Sequence, residues 1–143
     1  MPLSQKNLHQ IRAFNRDYTE LLGILNKRVF NTELSWPEAR ILMLIAVETP
    51  ISPKDVAAKL ALDRSYTSRI IKRLTAARLV VKTASPTDSR AIILSLTAAG
   101  KTLNQQLDDL SDAQLRTIFE PLSADNQQHA YEAIETLNQL LFK

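Results

Sequence analysis

Residues 80–96 change the rhythm of the chain. Elsewhere apolar residues recur every three or four positions. Here Val80-Val81-Lys82-Thr83 is short and β-branched, and Ile92, Leu94 and Leu96 alternate with Ile93 and Ser95. A period of two belongs to extended backbone and a period near 3.6 to helix. Between the two runs lies Ala84-Ser85-Pro86-Thr87-Asp88-Ser89, which is turn chemistry. One short hairpin set among helices is therefore expected: a mainly α chain with a small β-hairpin.

Capping residues and apolar spacing place the helices around it. Leu8, Ile11, Phe14, Tyr18, Leu21, Leu25 and Val29 form a stripe on a first helix spanning 4–30, with Gly23 inside it as a small cost or a close-packing point. Asn31–Leu34 breaks the pattern. Ser35-Trp36-Pro37-Glu38 then satisfies a Ser-x-x-Glu capping box, opening a buried second helix to about Val47. Thr49-Pro50 ends it, because the residue before proline is pushed out of helical geometry. Ser52-Pro53-Lys54-Asp55 starts a short third helix bearing Val56, Ala57 and Leu60. Asp63 caps a fourth that reaches about Ala77, with Ile70, Ile71 and Leu74 inward. After the hairpin, Thr97 caps a long helix carrying Leu103, Leu107, Leu110 and Ile118. Pro121 breaks it, and Ser123 caps a last helix with Ala130, Ile134, Leu137 and Leu141.

The chemistry the chain lacks is as informative. The sequence contains no cysteine, which removes disulfides, thiolate catalysis, cysteine-based zinc sites and thiol redox sensing. Two glycines leave no material for a phosphate-cradling loop. His9 and His129 are far apart and have no second ligand at metal spacing. No nucleophile stands beside a base, so neither an enzyme nor a cofactor is expected. No apolar run approaches the roughly 18 residues of a membrane span, and the N-terminal run MPLSQKNLHQ does not read as a secretion signal. A cytoplasmic protein without membrane partners is expected.

Charge is distributed unevenly. Residues 1–51 carry a net charge of +1, and residues 91–143 carry −4. Between them, residues 52–90 hold nine basic and three acidic side chains, net +6. Such a basic centre suits a polyanion; clustered charge on a solvated helix face is the other reading. The short helix, three-residue turn and following helix at 53–77 have the form of a helix-turn-helix. Ala57 lies where the two helices must pass closely, and Leu60 and Leu62 bury the turn. The outer side of the second helix is then Arg64, Ser65, Tyr66, Ser68, Arg69, Lys72 and Arg73. Arginine can bond guanine edges bidentately, hydroxyls reach base or phosphate, and the helix N-terminus favours phosphate. At the hairpin tip, Arg90 suits a narrow, electronegative minor groove. Asp88 can hold its guanidinium by a bidentate ion pair.

The run Leu60–Gly100 resembles the core of the MarR family of winged-helix transcriptional regulators. The resemblance rests on the recognition helix, the Asp88-Ser89-Arg90 wing and the Leu96-Thr97-Ala98-Ala99-Gly100 step into a long helix. It implies a single domain over 1–143, with a winged helix-turn-helix lobe at 35–97 and a helical dimerisation region at 4–30 and 98–142. It further implies a homodimer on double-stranded DNA, bound at a pseudo-palindromic operator as a repressor. Carried over residue by residue, Ser65, Tyr66, Thr67, Ser68 and Arg69 face the major groove, Lys72 and Arg73 contact phosphates, and Arg90 is the wing-tip arginine. Two departures stand out. Arg78 occupies a position where the family often has glycine, so a left-handed cap there carries a cost. Thr67 occupies a usually apolar, β-branched position and is expected to be half-buried.

The family also binds small aromatic or phenolic anions in a crevice between dimer helices and lobe. Arg12, Arg16 and Tyr18, with Trp36 as a wall, are the candidates for such a site; an exposed helix face and a simple hydrophobic contact are the alternatives. Ile11–Tyr18 resembles members fused ahead of an N-acetyltransferase domain, which leaves a severed regulatory part of such a fusion as another reading. A winged-helix module that docks a partner protein is the third.

Overall fold

The computed structural model describes residues 1–24 and 26–142. In chain order the elements are α1 (Gln5–Leu22), α2 (Trp36–Glu48), α3 (Pro53–Leu60), α4 (Arg64–Ala76), β1 (Val80–Ala84), β2 (Ile92–Leu96), α5 (Ala98–Phe119) and α6 (Ala124–Leu141). The chain forms two units, Met1–Leu107 and Asp108–Lys143. The expected class, mainly α with one hairpin, is what is observed.

α1 is shorter than the 4–30 stripe suggests. Ser4 caps its start, and Gly23 ends it in the left-handed region at φ 69°. The Gly23 N–H donates to the Glu20 carbonyl and that of Ile24 to the Thr19 carbonyl. Glycine adopts this conformation without a Cβ clash, so Gly23 terminates the helix instead of lying within it. Leu25 lies outside the described residues. Val29, the last position of the expected stripe, is not helical at all: it is buried in the core of the lobe. It opens a tight hook in which Phe30 and Asn31 both have positive φ, at 50° and 61°. The Val29 N–H donates to the Leu34 carbonyl, while the Thr32 hydroxyl donates to Val29 O at 2.7 Å and accepts from Leu34 N at 3.2 Å.

The following caps form as the sequence dictates. Ser35 and Glu38 exchange both bonds of the capping box at 3.3 and 3.0 Å. Ser52 accepts from the Asp55 N–H and Asp63 from the Tyr66 N–H. Between α3 and α4, Ala61 takes a left-handed conformation (φ 52°) that turns the chain, and Ala57 is buried where the two helices approach. The core joins Ile41, Leu42 and Ile45 of α2, Val56 of α3, Ile70, Ile71 and Leu74 of α4, Val80 of β1 and Leu94 of β2.

The hairpin is antiparallel, with Val80 opposite Leu96 and Ala84 opposite Ile92. Leu94 also donates to the carbonyl of Ile51 at 2.8 Å, an isolated bridge that ties the wing to the segment before α3. Thr97 and Ser123 cap α5 and α6 by accepting the N–H groups of Gly100 and Asn126. Leu107 is buried on α5, with Leu103, Leu110 and Ile118 half-buried. On α6 no residue is buried: Ile134, Leu137 and Leu141 are 45%, 46% and 66% exposed.

Candidate nucleic-acid interface

The inward residues of α4 fix which way it faces. Ile70, Ile71 and Leu74 fill the core together with Thr67, which is 1% exposed. The Thr67 hydroxyl donates to the Asp63 carbonyl at 2.9 Å. Thr67 is therefore not a groove-facing residue; its methyl packs inward and the i−4 carbonyl satisfies its hydroxyl. Arg64, Ser65, Ser68, Arg69, Lys72 and Arg73 are all exposed, on the side away from the core. Among the described residues no carboxylate pairs with any of these four cations, so their charge is available to a ligand. Arg69, Lys72, Arg73 and Ala76 line an open concavity of about 520 Å³.

Tyr66 is divided between two roles. Its ring packs against the core, and the Arg69 guanidinium lies 5.9 Å from the ring centroid. A cation over an aromatic face is attracted to the ring's electron density, which favours one rotamer of an otherwise flexible arginine.

The wing tip differs from expectation in one bond. Asp88 does not clamp the Arg90 guanidinium; its Oδ1 accepts the backbone N–H of Arg90 at 3.0 Å. A carboxylate two residues upstream reaches the backbone more readily than the far end of a long side chain, giving an Asx-type turn. The Ala91 N–H donates to Asp88 O, and Ser85 N–H to Ala91 O, which closes the loop. Arg90 stands exposed, and no carboxylate among the described residues engages its guanidinium.

The α1 candidates are placed separately. Arg12 is exposed, and Arg16 lies 3.4 Å from its neighbour Asp17 with both side chains largely in solvent. Tyr18 stacks on Phe14 with ring centroids 5.4 Å apart. Trp36 is half-buried, tilted against Phe30, and donates from Nε1 to the Gly23 carbonyl at 3.3 Å. Its observed role is the hydrophobic contact at a helix start. Among the described residues no cluster of His, Asp and Glu could hold a metal ion, and no helix is long and apolar enough to cross a membrane.

Sequence reasoning missed the joint between α4 and β1. Arg78 does adopt the left-handed conformation expected of its position, at φ 61°. The Thr97 hydroxyl, read only as a cap, also donates to the Arg78 carbonyl at 2.6 Å.

Residues 32–91, from the hook to the wing tip, match the model of the MarR family. In sequence the chain is similar to the HTH-type transcriptional regulator MgrA of Staphylococcus aureus, with 27% identity over 132 residues, 92% of this chain and 80% of that one. Its fold is similar to that of a mutant MarR from E. coli complexed with operator DNA (TM-score 0.72, 19% identity, 99% of each chain). It is also similar in fold to the PcaV regulator of Streptomyces coelicolor in complex with its natural ligand (TM-score 0.62, 22% identity, 97% and 96% of the two chains).

Proposed function

We propose that this chain is a MarR-type, sequence-specific regulator of transcription that binds duplex DNA as a homodimer on a pseudo-palindromic operator. One observation carries the reading: α4 is locked to the core by four buried residues, and its outer face offers four cations that no carboxylate among the described residues engages, together with two short exposed hydroxyls. In a major groove, Arg69 and Ser65 reach base edges while Lys72 and Arg73 neutralise phosphates. Arg90 enters the adjoining minor groove. The exposed apolar residues of α1 and α6 supply the twofold contact, since two copies bury what one leaves in water. A dimer seated across both grooves excludes polymerase from an overlapping promoter, so repression is the expected outcome. The cytoplasm is where such a site is met.

The test is a titration of the protein into labelled duplexes: the upstream region of its own gene and a scrambled sequence of equal length. Preference for the first, with affinity falling steeply as salt rises, is expected, because each neutralised phosphate contributes a slope of about −0.9 to log K against log salt. Equal binding to both duplexes, joined to tight capture of one protein partner, would favour the docking-module reading.

A further inference from the structure

The chain reverses direction between the recognition helix and the wing at two residues, Arg78 and Leu79. Arg78 holds a left-handed conformation without the freedom of glycine. Such a conformation persists only where neighbours over-determine it. On one side α4 itself holds it, the Arg78 N–H donating to the Thr75 carbonyl and the Leu79 N–H to the Leu74 carbonyl, both at 3.0 Å; on the other side stands the start of α5. Thr97 donates its backbone N–H to the Leu79 carbonyl at 3.1 Å and its hydroxyl to the Arg78 carbonyl at 2.6 Å. The same hydroxyl accepts the Gly100 N–H at 3.0 Å, so its donor and one of its two acceptor positions are used. Gly100 is buried, and a Cβ built there would collide with the Leu79 carbonyl oxygen. Three segments thus meet on two successive carbonyls.

We propose that Thr97 and Gly100 are positioning residues for DNA recognition: they hold the Arg78–Leu79 joint, and with it the angle between recognition helix and wing. The inference rests on the DNA-binding function proposed above. Helix and wing address different grooves, so one rigid setting lets both engage at once, and a loosened joint makes the second contact no longer follow from the first. Without the Thr97 hydroxyl, the Arg78 carbonyl loses its partner, only the two α4 bonds oppose the left-handed strain at Arg78, and the wing is redirected. The phosphate-facing cations on α4 are untouched by this, so sequence-independent attraction survives while discrimination is lost.

The experiment uses the full chain, a duplex that the wild type selects from a random pool, and a scrambled duplex of equal length. Thr97→Val is nearly isosteric and lacks the hydroxyl. Its affinity for the selected duplex is expected to fall about tenfold, the equivalent of roughly 1.4 kcal/mol. Affinity for the scrambled duplex and the salt slope should stay as in the wild type, and Thr97→Ser should retain binding within about twofold of the wild type, a few tenths of a kcal/mol. Adding Arg78→Gly should shrink the loss caused by Thr97→Val, because glycine keeps the left-handed turn unaided. A Thr97→Val protein that binds both duplexes like the wild type, or loses both equally, overturns the proposal. A wild type that selects no duplex overturns the DNA-binding reading instead.

Discussion

α4 and α6 are both amphipathic helices, and they end differently. α4 buries Thr67, Ile70, Ile71 and Leu74 within its own lobe and turns its cations outward. α6 buries nothing, leaving Tyr131, Ile134, Leu137 and Leu140 between 45% and 68% exposed. An apolar stripe of that size left in water marks an interaction surface more often than an accident. If the proposed dimer holds, the difference teaches that the lobe is complete as one copy, while the terminal helix takes its hydrophobic complement from a second copy. Stability of the first should therefore depend on side chains within the chain, and that of the second on protein concentration.

Substitutions separate the two. Ile70→Ala removes a fully buried side chain from the lobe and should destabilise it by about 2–5 kcal/mol in urea unfolding; a smaller effect would mean that α4 is not held by its core. Leu137→Arg places a charge on the exposed stripe of α6. Sedimentation should then show monomers, and affinity for the selected duplex should drop about 100-fold as the two half-sites uncouple. An unchanged sedimentation coefficient would break the contrast. Arg90→Ala, at the wing tip, should cost about tenfold in affinity, roughly 1.4 kcal/mol, with the thermal midpoint unmoved. Smallest of all, Arg78→Gly should raise stability by up to about 1 kcal/mol in thermal unfolding, because it relieves a left-handed arginine.

The lobe was legible because its boundaries are written in side chains. Ser35, Ser52, Asp63 and Thr97 each accept the backbone N–H that their sequence position predicts. The period-two run at Ile92–Leu96 gave the hairpin and its buried Leu94. The end of α1 was misread because Val29 falls four residues beyond Leu25 and so continues a helical spacing across a helix that has already stopped. Gly23 was the true signal. Thr67 was drawn outward by a family pattern, although its spacing of three and four from Ile70 and Ile71 puts it on the inner side. At the wing, an acid and a base two residues apart suggested an ion pair, whereas the shorter path runs from carboxylate to backbone. The bond from Leu94 to Ile51 and the double hold of Thr97 join residues distant in sequence, which no local pattern encodes.

The chain has a single tryptophan, and it sits at the first turn of α2 with its indole N–H on the glycine that closes α1. Indole emission shifts with solvent access and with the bonding of that nitrogen. The molecule therefore carries an intrinsic optical reporter at the point where its N-terminal helix is fastened to the lobe. Movement at that fastening on adding DNA, a small anion or denaturant can be followed by colour alone, without a dye or a mutation.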